Sequence, residues 1–209
     1  MEPQRITVGG RFCALTPLDA AVHAEALWEG TVDAELWAWM ADGPFADRAA
    51  FDQHLRAKAT SNDPLFSAYI DNATGFAVGM GSFMRIDAKN RVLEAGNLMF
   101  GKKMQRTPIA TEAMYLMARY VFEELRYRRY EWKCNALNAP SRSAALRLGF
   151  TFEGIFRQHM IIKGKNRDTA WYSMLDGEWP SRKAGFERWL DPANFDAAGR
   201  QLTPLANRA

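Results

Sequence analysis

The spacing of apolar and polar positions along the chain predicts a succession of strands and helices. Ile6–Val8 and Phe12–Leu15, separated by Gly9 and Gly10, read as a short hairpin, after which Thr16, Pro17 and Asp19 introduce a helix over about Ala20–Thr31. A Trp-rich segment covers Glu35–Met40. Beyond Gly43 and Pro44, Ala46–Thr60 reads as a second helix with Phe51, Leu55 and Ala59 on one face. Leu65–Asp71, Phe76–Asp87 and Val92–Phe100, divided by turn residues at Asn72–Gly75 and at Lys89 and Asn90, predict a three-stranded meander.

The second half begins with a helix over Pro108–Arg126, whose apolar stripe runs from Ala110 through Met114, Met117 and Val121 to Leu125. Arg126, Arg128 and Arg129 complement its dipole. Arg129–Ala136 is a further strand, and a helix of this length before it implies a parallel crossover. A short helix follows from Ser141 to Leu148, then a hairpin of Thr151–Ile162 and Arg167–Leu175, then a last helix from Glu178 through Trp189. This order predicts one mixed α/β domain over residues 1–190, with a mostly antiparallel sheet flanked by helices and a loosely held tail at 191–209.

Composition narrows the class. The 209 residues are 48% hydrophobic and 24% charged, as in ordinary globular domains. A net charge of +3 is too small a surplus to indicate nucleic acid. The two cysteines, Cys13 and Cys134, have no metal-ligand spacing and suggest neither a zinc site nor a disulfide scaffold. No apolar run suggests a signal peptide or membrane span, so a cytoplasmic protein is expected, without membrane contact.

The densest chemistry lies where the strand ending at Phe100 meets the helix starting at Pro108. Thr107 suits an N-cap and Pro108 the first helical position, leaving the amides of Ile109, Ala110 and Thr111 free to face an anion. Lys102, Lys103 and Arg106 add positive charge on the approach, which makes a phosphorylated ligand the first hypothesis and an ordinary capped helix its rival.

Glu94, Ala95 and Gly96 on the third meander strand, Gln105–Ala110 in the turn, Thr111–Ala113 in the helix, Asn138–Ser141 and Leu148–Phe150 occur in a telling order. With Asp168, Trp171–Ser173 and Glu178–Pro180, they make the chain resemble the GNAT-type N-acyltransferases over about residues 10 to 182. The resemblance is to the branch similar to bacterial enzymes that acetylate the N-termini of ribosomal proteins. It implies a sheet whose two parallel strands splay apart, acetyl-CoA or another acyl-CoA as donor, an amine acceptor that is a protein N-terminus or small molecule, and direct transfer without a metal. Phe100, Gln105, Arg106, Thr107, Ile109, Ala110, Thr111 and Asn138 become the expected cofactor-binding residues. The turn departs from the family pattern at Pro108, where a glycine is usual, so one amide donor is lost. A homodimer is compatible with the resemblance. A non-catalytic acyl-CoA-binding sensor or interaction module is the competing reading.

Acyl transfer from a thioester to an amine requires a base for the amine, polarisation of the carbonyl and protonation of the departing sulfur. Glu94 is the candidate base, since burial in an apolar strand raises a carboxylate toward the useful range; a structural salt bridge is its alternative role. The family's usual tyrosine acid is replaced by Ala145. The resemblance points to Ser141 instead, with a plain helix cap as its other role and Tyr172 as a weaker substitute. Gly96 and Asn97 suggest a bulge that turns a backbone N–H toward the thioester. Asn138 is expected to touch the pantetheine arm or to form an Asx turn. Trp28, Trp37, Trp39 and Met40 read mostly as core, and Trp39 and Glu94 are the expected substrate-binding residues. His23, His54 and His159 show no catalytic pattern.

Overall fold

A computed structural model describes residues 1–205. Eight strands form one sheet: β1 (Val8–Gly9), β2 (Cys13–Pro17), β3 (Leu65–Asp71), β4 (Ala77–Asp87), β5 (Val92–Phe100), β6 (Arg129–Asn135), β7 (Thr151–Ile162) and β8 (Lys165–Leu175). Their order is β1-β2-β3-β4-β5-β6-β8-β7, antiparallel throughout except at β5 and β6. The single parallel pair follows from the helix that separates its strands in sequence.

The helices are α1 (Ala20–Thr31), α2 (Arg48–Thr60), α3 (Pro108–Arg119), α4 (Ala139–Arg147) and α5 (Trp179–Leu190). One apolar cluster, including Leu27, Phe51, Leu55, Phe66, Met80 and Met99, joins α1 and α2 to one sheet face. A larger cluster joins α3 and α5 to the other face through Leu93, Ala95, Met114, Tyr130, Trp132, Tyr172 and Phe186.

Several element ends differ from the sequence pattern for identifiable reasons. The helix predicted to reach Arg126 is α-helical only to Arg119; Tyr120–Glu124 widens into a π turn, and Arg126 then adopts φ +56°. Arg129 serves no helix end, because its guanidinium binds Glu131 and Glu153 from within β6. The Trp-rich segment is helical only at its start, in a single 3-10 turn over Ala34–Trp37. α2 starts at Arg48, where the Asp47 side chain caps Ala50. α4 begins before Ser141, because Asn138 supplies its cap. The β7–β8 hairpin turns on Lys163 and Gly164, both at positive φ, as a two-residue connection requires. Beyond α5, Trp189 donates to Gln201 at 2.8 Å and Leu205 is buried in the larger cluster. The remainder of the expected tail, 206–209, lies outside the described residues.

A buried carboxylate fastens the N-terminal hairpin to α3. Glu112 accepts backbone N–H bonds from Arg11 (2.8 Å), Phe12 (2.6 Å) and Cys13 (2.7 Å). A Cβ on Gly10 would stand 2.5 Å from the Glu112 carboxyl carbon, so this close approach demands glycine. Glu112→Ala strands three donors together, and urea denaturation should show a loss of about 3 kcal/mol; a loss below about 1 kcal/mol would contradict the role given to this contact.

Candidate active site

The site starts where β5 and β6 stop pairing. Their parallel register runs from Val92 opposite Arg129 to Ala95 opposite Trp132, yet β5 continues to Phe100 and β6 to Asn135. On its other edge β5 pairs Gly96 with Ser82 but Met99 with Met80, so Asn97 and Leu98 together oppose Gly81 in a bulge. Asn97 is at φ +52°, and its amide nitrogen donates to the Ser82 hydroxyl at 3.0 Å. The extra residue reverses the alternation of side chains along the strand. Glu94 and, beyond the bulge, Met99 face the side of α1 and α2, whereas Leu98 and Phe100 turn toward α3.

A cavity of about 890 Å³ fills the space opened there. Leu98, Phe100 and Trp132 form its wall at the gap. Gln105, Arg106, Thr107, Ala110 and Thr111 line the end beside α3, and Asn138, Ser141 and Arg147 line the side of α4. Of the expected cofactor residues only Ile109 is absent from the lining, its side chain packing against the core.

Thr107 occupies the N-cap position of α3 in extended backbone, but its hydroxyl donates to the Met104 carbonyl at 2.7 Å and caps nothing. The cap inferred for Thr107 is therefore corrected. The competing local bond leaves the helix start without a side-chain acceptor, so the amides of Ile109 and Ala110 remain available. The expected contribution of Lys102 is also corrected, because Asp33 holds its ammonium at 2.5 Å. Gln105 braces the loop by donating to the Phe100 carbonyl at 2.8 Å, and Arg106 stands at φ +60°.

Sequence reasoning did not find Arg147. Its guanidinium donates to the Thr111 hydroxyl at 3.0 Å and lies 5.1 Å from the Trp189 ring centroid, with no carboxylate in salt-bridge reach among the described residues. Burial lowers it from its ordinary value. Only the packing of α4 against the start of α3 brings it to the cavity, and no residue spacing announces that. A half-buried arginine beside open helix amides fits a phosphate chain.

Glu94 is 5% exposed and far from isolated. Its Oε2 accepts from Arg85 at 3.0 Å and from Lys133 at 2.9 Å, while Oε1 bonds no described residue. The salt bridge expected as the alternative role of Glu94 is present, and it leaves a single free oxygen. Lys133 also binds Glu131 at 2.5 Å and lies 4.0 Å from the Trp171 ring centroid. Arg129 extends the chain of charges to Glu131 and Glu153, and the Ser173 hydroxyl donates to Glu153. Arg85 and Lys133 carry no sequence signal beyond a basic residue in a strand.

Ser141 sits inside α4, and its hydroxyl oxygen accepts from Trp132 Nε1 at 3.1 Å. The capping role belongs to Asn138, whose side-chain oxygen accepts from the Ser141 amide at 3.1 Å. Burial pushes the neighbouring Cys134 thiol up, partly offset by the Ser141 hydroxyl. Tyr172 is buried with its hydroxyl accepting from Arg142 at 3.1 Å, and it does not line the cavity. Trp37 is core, whereas Trp39 is 42% exposed and Leu36, not Trp39, reaches the cavity. His159 lies nearer the charged cluster than its sequence context suggests: burial lowers it, reinforced by Arg85, Arg167 and Lys133 and opposed by Glu94.

Known proteins of similar sequence and structure point one way. A GCN5-related N-acetyltransferase from Brucella melitensis is 47% identical and superposes with a TM-score of 0.96 over 98% of this chain and 94% of its own. An acetyltransferase of the GNAT family from Chromobacterium violaceum is 36% identical, with a TM-score of 0.81 over 86% of this chain and 91% of its own. YdaF of Bacillus subtilis (strain 168), provisionally named a ribosomal N-acetyltransferase, is 33% identical over 109 residues, which span 52% of this chain and only 59% of YdaF. Residues 13–151 match the family described as Acetyltransferase (GNAT) domain. With that match covering most of the sheet and the whole β5–α3 turn, the chain belongs to the GNAT family of CoA-dependent acetyltransferases.

Proposed function

We propose that this chain transfers an acetyl group from acetyl-CoA to a primary amine by direct attack in a ternary complex. One observation carries the reading. A single cavity joins the uncapped start of α3 and Arg147 to the gap beyond the Ala95–Trp132 pair; Glu94 itself does not line it, and on β5 its wall begins at Leu98. Bound acetyl-CoA supplies an activated thioester carbonyl and a sulfur leaving group. The amides of Ile109 and Ala110, with Arg147, hold its pyrophosphate. Asn138 borders the path of its pantetheine arm.

At the gap, the backbone of the Asn97–Leu98 bulge offers an N–H to the thioester oxygen. Arg85 and Lys133 fix Oε2 of Glu94, so Oε1 is the oxygen left to take the proton of the incoming amine, directly or through water. Ser141 already accepts from Trp132, which leaves its own hydrogen to donate to the departing sulfur. The acceptor is a protein N-terminus or a small amine, met in the cytoplasm. The name carried by YdaF favours ribosomal protein.

Release of CoA thiol from acetyl-CoA with a panel of amines tests the reading; acyl-CoA binding without release under any amine would favour a sensor or interaction module instead. Arg147→Ala should weaken acetyl-CoA at least about tenfold by titration calorimetry, and Ala110→Glu should abolish measurable binding by setting a carboxylate against the pyrophosphate. Unchanged affinity in both would place the cofactor elsewhere.

Glu94→Gln should lower kcat about 10²-fold while sparing acetyl-CoA affinity. A variant with wild-type turnover would leave Glu94 a structural ion pair. Ser141→Ala should slow single-turnover transfer at least about tenfold, or about 1.4 kcal/mol of barrier. Its melting temperature should fall by only a few degrees, because Asn138 keeps the helix cap while the buried Trp132 indole N–H loses its acceptor. An unchanged rate would assign sulfur protonation to solvent.

A further inference from the structure

The face of the sheet that carries Glu94 also carries an arginine outside its ion-pair chain. Glu94, Glu131 and Glu153 are matched by Arg85, Lys133 and Arg129 in one linked chain of ion pairs. On the neighbouring strand β8, the side chains of Arg167, Thr169, Trp171 and Ser173 lie along this same face, Trp171 beneath Lys133 and Ser173 against Glu153. Arg167 is that arginine. Its Nε donates to the Thr169 hydroxyl at 3.2 Å, and its two terminal nitrogens bond no described residue. Burial lowers the guanidinium from its ordinary value, with Cys134 and Glu94 acting in the opposite direction and Arg85 with it. A half-buried arginine without a counter-ion among the described residues is costly, and the fold retains it within the field of Glu94.

Its surroundings hold it in place. β7 leaves register between Phe156 and Met160, so that Arg157, Gln158 and His159 together oppose Asp168. Asp168 pins this bulge by accepting from the Gln158 amide at 2.8 Å and from Asn166 at 2.9 Å. Gln158 adopts φ +49° there. The bulge delivers the His159 ring to the Thr169 hydroxyl, 3.0 Å from Nδ1, and against Phe156 and Trp171. One buried hydroxyl therefore anchors both Arg167 and His159. Trp171 Nε1 is buried nearby without a partner among the described residues, a second unused donor. At the hairpin tip, Lys163 donates to the Trp37 carbonyl at 2.9 Å, tying β7 and β8 to the segment between α1 and α2.

We propose that the amine acceptor carries a carboxylate close to its reacting nitrogen, and that Arg167 binds that carboxylate while Glu94 receives the nitrogen's proton. The inference rests on the N-acyltransferase reading above and names its acceptor class. A guanidinium fork binds a carboxylate through two parallel N–H bonds, and shielding from solvent strengthens the pair. His159 and Thr169 act as positioning residues for the fork. The carboxylate can belong to a free amino acid or to an acidic residue following a peptide N-terminus.

Steady-state acetylation by the intact protein separates these sources. Two matched pairs serve as acceptors: peptides differing only in aspartate or asparagine at the second position, and a free amino acid with its C-terminal amide. The carboxylate member of at least one pair should show a kcat/KM at least about tenfold higher, and the responsive pair identifies the source. In Arg167→Gln that ratio should collapse to near one, and Arg167→Lys should keep part of it. Arg167→Glu should reverse the preference in favour of the amide. Because the wild-type guanidinium lacks a counter-ion, Arg167→Gln should melt no cooler than the wild type. No carboxylate preference in the wild type overturns the proposal, as does a preference that survives Arg167→Gln or a melt lowered by about 5 °C or more, which would make Arg167 a structural prop. Failure to acetylate any amine would instead sink the underlying reaction, and this inference with it.

Discussion

The separation of β5 from β6 after the Ala95–Trp132 pair is the constraint on which the rest of the molecule turns. Two parallel strands in the middle of a sheet normally satisfy each other's backbone groups along their full length. Here the Asn97–Leu98 bulge draws β5 out of register with β4 just past Glu94, and the two strands part. One extra residue has two consequences. It opens the cavity, and it reverses which side chains face which layer, so a single strand presents a carboxylate on one face and the cavity wall of Leu98 and Phe100 on the other. Neither an unbulged strand nor a fully paired one does both.

The two ends of that opening are charged in different ways. Toward α3 the positive potential comes largely from backbone: helix amides left uncapped because Thr107 spends its hydroxyl on Met104, reinforced by Arg147. Toward β8 it comes from side chains in a dense ion-pair chain. Buried ion pairs of this kind are weak evidence for stability, since desolvation offsets most of their attraction. Their value here is positional. Lys133 is held by Glu94, Glu131 and the Trp171 face together, and it fixes one Glu94 oxygen so that the other is free.

Much of the fold was legible in the chain. The meander, the parallel crossover and the closing hairpin each follow from runs whose period and turn residues leave little choice, and the motif order from Glu94 to Phe150 carried the resemblance. The bulge was legible too, because Gly96 and Asn97 interrupt a strand with residues that tolerate unusual backbone. What escaped depends on contacts between distant segments. Thr107 has the composition of a cap and the geometry of a turn. Arg147 and Arg167 look like any other arginine in the sequence; only the fold half-buries them, each on one threonine hydroxyl and with no carboxylate in salt-bridge reach among the described residues. The salt bridge of Glu94 could be expected but its partners could not be named, because Arg85 and Lys133 arrive from separate strands, and the cap considered as the other role of Ser141 belongs to Asn138, three residues before it.

Hydrogen–deuterium exchange of the intact protein, with and without saturating acetyl-CoA, addresses the central claim most directly. The account predicts slowed exchange at the amides of Ile109 and Ala110 and along 97–100 of β5, with β1 to β3 unchanged. Protection confined to other segments, or none at saturation, would contradict the placement of the cofactor between the parted strands.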